Sequence, residues 1–106
     1  MIREIKSMDE FNELTRSGTV IVDFDAMWCG PGRAILPYFN ELSMRFREIT
    51  FLRVDIDELD VVTSEVQVES MPSFLVYMDG KVIDRLIGSN VEMLELFVKK
   101  YAQIHR

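Results

Sequence analysis

The chain has 106 residues, 48% hydrophobic and 28% charged; this is the size and composition of one globular domain, residues 1–106, and it excludes disordered and fibrous classes. A net charge of −6 repels a phosphate backbone, and the basic pairs Arg45/Arg47 and Lys99-Lys100 are set among acidic or apolar neighbours, so nucleic acid is excluded as a partner. No apolar run approaches the roughly 20 residues of a membrane span, and Met1-Ile2-Arg3-Glu4-Ile5-Lys6 lacks the apolar stretch of a signal peptide, so no membrane association and a cytoplasmic location are expected.

Residues 2–5 alternate apolar and charged side chains, which predicts a short strand. Ser7-Met8-Asp9-Glu10 then reads as a capping box opening a helix whose apolar side carries Phe11 and Leu14 and which ends by Gly18. Residues 19–24 are almost entirely β-branched and aromatic, as in a central strand buried on both faces. After Trp28-Cys29-Gly30-Pro31-Gly32, Ile35, Phe39, Leu42 and Phe46 fall on one helical face, with Pro37 expected to kink that helix.

A strand over 51–56, a short helix over 58–66 and a strand over 74–78 follow. Asp79-Gly80 between two strand patterns predicts a hairpin to a strand over 81–86. Asn90 caps a last helix with Val91, Leu94, Phe97, Val98 and Tyr101 on one face and a Glu95/Lys99 pair on another. The order β-α-β-α-β-α-β-β-α predicts an α/β fold, a mixed central sheet with helices on both faces. The acidic stretch 55–60 reads as a solvated loop.

Candidates for chemistry are few. With one cysteine, Cys29, and one histidine, His105, the chain can build neither an internal disulfide nor a Cys/His metal site, so no metal and no cofactor are expected. Cys29 falls at the start of the long helix, where unpaired N–H groups and the helix dipole favour a thiolate. Arg33 adds a cation one turn on, while Asp23 and Asp25 oppose ionisation. A flanking Trp and a Gly-Pro turn suit an exposed nucleophile better than a packed core cysteine.

Trp28-Cys29-Gly30-Pro31 after Val22-Asp23-Phe24 resembles the active-site segment of the thioredoxin family. Ser70-Met71-Pro72-Ser73-Phe74 is similar to that family's cis-proline loop, Asp79-Gly80-Lys81 to its hairpin and Ile87-Gly88-Ser89 to its glycine turn, so the resemblance covers essentially the whole chain. It implies the thioredoxin fold, with Cys29 as the thiol that attacks a substrate disulfide. Gly32 stands where the second, resolving cysteine is found, so no internal disulfide can close.

The same resemblance makes Asp23 the buried carboxylate that moves a proton, here without its usual thiol partner, and sets Arg53 in the place of a lysine near it. It places Trp28, Gly30, Pro31, Met71, Pro72 and Gly88 around the thiol as a mostly apolar groove for an extended peptide. Asp25 departs from the aromatic or small residue common at its position and puts a charge near the thiol.

The implied activity is thiol–disulfide exchange through one nucleophilic cysteine: mixed disulfides with protein substrates, released by an external thiol. Losing an internal resolver should slow that release at least ~10³-fold. Implied partners are protein disulfides and thiols, glutathione or a thioredoxin-type reductase, with a monomer able to form a Cys29-linked dimer on oxidation. Three alternatives stay open: a non-enzymatic interaction module with the same fold, a substrate-trapping replacement of the second cysteine in an ordinary thioredoxin, and a monothiol glutaredoxin-like role.

Overall fold

A computed structural model describes residues 1–59 and 66–102. In chain order these form β1 (Arg3–Glu4), α1 (Met8–Thr15), β2 (Thr19–Asp25), α2 (Gly30–Arg45), β3 (Thr50–Asp55), β4 (Ser73–Met78), β5 (Lys81–Ile87) and α3 (Val91–Ala102). The helix expected over 58–66 lies mostly outside the described residues. The sheet runs β1-β3-β2-β4-β5. β1, β3 and β2 are mutually parallel, and β4 and β5 are each antiparallel to the neighbour before them in that order.

Local chemistry explains the boundaries. Ser7 Oγ accepts the Glu10 N–H at 3.2 Å and so starts α1. The Glu10 carboxylate reaches back to the Lys6 N–H at 2.8 Å, one residue before the cap, and is braced by Arg3 Nε at 2.9 Å. Asp79 and Gly80 both take positive φ, 50° and 88°, the backbone of a type I′ turn whose twist matches the β4–β5 hairpin. Asn90 Oδ1 caps α3 by accepting the Met93 N–H at 2.9 Å. α2 continues through Pro37, which is exposed, to Arg45.

Side-chain alternation divides the core into two layers. On one face Ile21, Phe51, Phe74 and Val76 pack beneath α2 and α3, with Phe39 ring centroids 5.2 Å from those of both Phe51 and Phe74. On the other, Val20, Val22, Phe24, Leu52, Val54, Leu75 and Tyr77 pack with Ile5 and Phe11. The period of two therefore puts Asp23 and Asp25 of β2, and Arg53 and Asp55 of β3, on the α2 side. All four are buried at the carboxyl ends of the two central strands, where β2 runs into α2.

Candidate active site

Cys29 is the N-cap of α2, with extended backbone angles (φ −84°, ψ 105°) and no side-chain cap bond of its own. Its N–H donates to Ala26 O at 3.1 Å and its carbonyl accepts the Arg33 N–H at 3.0 Å, which fixes the turn between strand and helix. The thiol is not the exposed nucleophile the sequence suggested. Cys29 is 8% exposed, whereas Met27 and Trp28 are 62% and 66% exposed. The turn folds Sγ inward, 3.9 Å from the Met71 carbonyl, and leaves the flanking side chains to face solvent.

The acidic stretch is also more than a solvated loop. Asp57 Oδ2 accepts the Trp28 indole N–H at 2.9 Å, and Asp57's own N–H donates to Oδ1 of buried Asp55 at 2.8 Å. These bonds turn part of an acidic run into a bracket for the exposed indole.

Opposite Cys29, the Met71–Pro72 peptide is cis, and Pro72 is buried. The Pro72 carbonyl accepts the Gly88 N–H at 3.0 Å, tying the loop to the end of β5. Gly88 sits at φ 109°, a conformation only glycine adopts without strain. Ser73 Oγ closes the loop on the Ser70 carbonyl. Gly30 and Pro31 are exposed on the first turn of α2, beside Trp28. A cavity of about 590 Å³ lies elsewhere: Glu4, Met27, Arg33, Leu36, Asn40 and Arg53 line it, and none of the residues expected to hold a peptide does.

Beneath the thiol, the strand ends carry an unusual charge cluster. Asp23 is fully buried, and neither carboxylate oxygen has a hydrogen-bond partner. Burial, reinforced by the charge of Asp25 and only partly offset by Arg53, pushes its pKa up to about 8. Asp25 is raised too, first by burial, with Asp55 adding repulsion; the Ala26 N–H, Arg53 and the Cys29 thiol work in the opposite direction. Arg53 is itself buried, its NH1 group 3.4 Å from Glu4 Oε1 and its Nε without a partner.

Gly32 is buried one residue after Pro31. A Cβ built there would stand 1.9 Å from Asp25 Oδ2 and 2.2 Å from its Cγ, so the Asp25 carboxyl already fills the space where a side chain at 32 would begin. Sequence reasoning placed a charge near the thiol but not this fit. The available signal was the parity of Asp23 and Asp25 on one strand face, together with a glycine in the helical turn above them. Among the described residues, no group of three or more Cys, His, Asp or Glu is arranged to hold a metal ion.

The pattern of the thioredoxin family matches residues 3–100. Thioredoxin of Coprinus comatus is 44% identical over 103 residues, covering 94% of this chain and 97% of the relative. Thioredoxin of Equus caballus is 38% identical over 102 residues, covering 93% and 97%. A solved Plasmodium falciparum thioredoxin superimposes with a TM-score of 0.92 at 38% identity, covering 93% of this chain and 98% of that structure.

Proposed function

The chain belongs to the thioredoxin family of thiol–disulfide oxidoreductases, and from that premise we propose that it carries out thiol–disulfide exchange through Cys29 alone. The observation that carries this reading is the placing of Cys29 Sγ at the N-terminus of α2, 3.9 Å from the carbonyl of Met71 in the cis Met71–Pro72 loop. The loop beside it offers backbone groups to an extended peptide, and exposed Trp28, Gly30 and Pro31 with Met71 and Gly88 frame that approach.

In the first step Cys29 gives up its proton and Sγ bonds to one sulfur of a substrate disulfide. The S–S bond breaks, and the second substrate sulfur leaves as a thiolate that takes a proton from water. Gly32 offers no sulfur to attack the mixed disulfide, so an external thiol does. It bonds to the substrate sulfur, loses its own proton, and Cys29 leaves and is reprotonated. The external thiol is oxidised and the substrate's first-released sulfur is reduced, with no cofactor consumed in the exchange. Glutathione and protein thiols are suitable donors, and a monomer working in the reducing cytoplasm fits this use. No described helix is long and apolar enough to cross a membrane.

The test is a disulfide-linked reporter protein followed by mass spectrometry. Without added thiol, the reaction should stop at one Cys29-linked adduct per chain, and glutathione should then release it and allow turnover; Cys29→Ser should form none. A Cys29 that reacts no faster than free cysteine would overturn the exchange reading and leave a thioredoxin-fold interaction module.

A further inference from the structure

Loss of a resolving cysteine ordinarily leaves a small void beside the attacking thiol, yet here the space belongs to a carboxyl group. A Cβ at Gly32 would lie 1.9 Å from Asp25 Oδ2 and 2.1 Å from Oδ1, distances no real side chain tolerates. Asp25 is fully buried; its Oδ1 accepts the Ala26 N–H at 2.8 Å and its Oδ2 has no hydrogen-bond partner. An unsatisfied buried carboxylate oxygen is expensive unless a donor comes to it. Cys29 is the N-cap of the helix in which Gly32 is the third residue, so its thiol enters the site within one turn of that seat, and it is among the influences that favour the charged form of Asp25.

We propose that Asp25 occupies the seat of the resolving thiol and serves as the proton-transfer partner of Cys29. The proposal rests on the exchange reading above and deepens it. When Cys29 attacks, its proton passes to the Asp25 carboxylate as the Cys29–substrate S–S bond forms. Asp25 then holds the proton through the life of the mixed disulfide. When an external thiolate attacks the substrate sulfur, the Cys29–sulfur bond breaks and Asp25 returns the proton to Sγ. The carboxyl cannot replace the missing cysteine as a nucleophile toward the disulfide; it makes Cys29 a better leaving group for a thiol supplied from outside.

The surroundings suit that task. The groups acting on Asp25 are Asp23 on its own strand, Arg53 and Asp55 on β3 and Cys29 at the start of α2. Burial and the charge of Asp55 hold Asp25 ready to accept a proton, while Arg53 keeps the ionised form accessible. Asp23, one layer deeper and paired in register with Arg53, has no donor at either oxygen and is the less direct candidate.

The proposal is tested on a preformed mixed disulfide between Cys29 and a fluorescent cysteine peptide, released by glutathione across about pH 5–9. With rates expressed per glutathione thiolate, the wild-type constant should fall as pH rises and Asp25 loses its proton. Asp25→Asn should slow release about tenfold or more at the acidic end and abolish that limb of the profile. Release within about twofold of wild type, with the same profile, overturns the proposal alone. A wild-type chain that forms no mixed disulfide takes down the exchange reading and the proposal together. A second measurement does not depend on how Asp25→Asn folds: NMR titration of the Asp25 carboxyl carbon. Cys29→Ala should move its midpoint upward by about half a pH unit or more, because a donor to the carboxylate is removed; an unmoved midpoint rules out the partnership.

Discussion

The two faces of β2 and β3 are equally buried and chemically opposite. Toward α1 the strands present Val20, Val22, Phe24, Leu52 and Val54, a continuous apolar layer. Toward α2 they begin with Ile21 and Phe51 and end in Asp23, Arg53, Asp25 and Asp55. The first face holds the sheet together. The second carries groups whose burial opposes folding, gathered at the carboxyl ends of parallel strands, where open α/β sheets place their ligands. Stability and chemistry are thus drawn from opposite sides of the same seven-residue strand.

The largest expected effect tests whether the charged face is costly. Asp23 has an ordinary carboxyl pKa of 3.8 when unfolded and about 8 when folded. Below about pH 4 both states hold the proton and nothing is lost. As pH rises toward 8 the unfolded chain ionises while the folded one does not, so stability drains away, by up to about 6 kcal/mol once pH exceeds 8. Asp23→Asn removes this dependence. In urea unfolding, the variant should gain on wild type steadily from pH 4 to 8, even though its amide leaves an unsatisfied donor that lowers both ends alike. A difference that does not change with pH would break the contrast between the faces.

The apolar face gives the next largest effect, with opposite sign. Phe24 is fully buried, its ring centroid 6.1 Å from that of Phe11. Phe24→Ala should destabilise by about 3–5 kcal/mol through lost transfer and the cavity left behind, nearly independent of pH. Chemical denaturation at two pH values measures both claims.

How much of this was legible in the sequence follows the same division. The apolar layers were readable because burial imposes a period of two on strands and of 3.6 on helices: 19–24 and Ile35/Phe39/Leu42 announced their faces. Asp79-Gly80 and Asn90 were readable because few residues tolerate those backbone conformations or supply those caps. The site was harder. Cys29 was singled out by its place at a strand-to-helix junction and the Met71–Pro72 loop and Gly88 by resemblance, but the thiol's burial depends on a turn whose inward direction no local pattern encodes. The Asp57–Trp28 bond joins residues 29 apart in sequence and hides inside an ordinary acidic run. Asp25 against Gly32 is a fit between two elements, visible only once both backbones are placed.

Two glycines in one turn sharpen that last point. A Cβ on exposed Gly30 meets nothing within 4 Å, whereas one on Gly32 collides with Asp25. Gly30→Ala should be neutral or stabilising by up to about 1 kcal/mol, since it removes glycine's excess chain entropy. Gly32→Ala should lose about 1–3 kcal/mol by forcing the carboxyl out of its seat, and Asp25→Ala in the same chain should recover most of it. Restoring a resolver follows the same rule. Gly32→Cys alone should give poor reduction of a protein disulfide, and Gly32→Cys with Asp25→Ala should give efficient dithiol turnover. Equal activity of the two would mean that Asp25 yields its place freely.

The smallest effect belongs to the rim of the site, where charge faces solvent. Trp28 is the only tryptophan in the chain, so its fluorescence reports on that position alone. Its indole N–H bond to Asp57 is exposed, and water can replace it, so Asp57→Ala should change stability by less than about 1 kcal/mol. The indole itself should respond more clearly. Released from Asp57, its emission anisotropy should fall, and Cys29 should form the mixed disulfide a few-fold more slowly as the approach beside the thiol loses a fixed wall. Unchanged anisotropy would mean that packing, not Asp57, holds the ring. In that case the acidic run contributes to the site through Asp55 alone, and the charged layer ends at the strand tips.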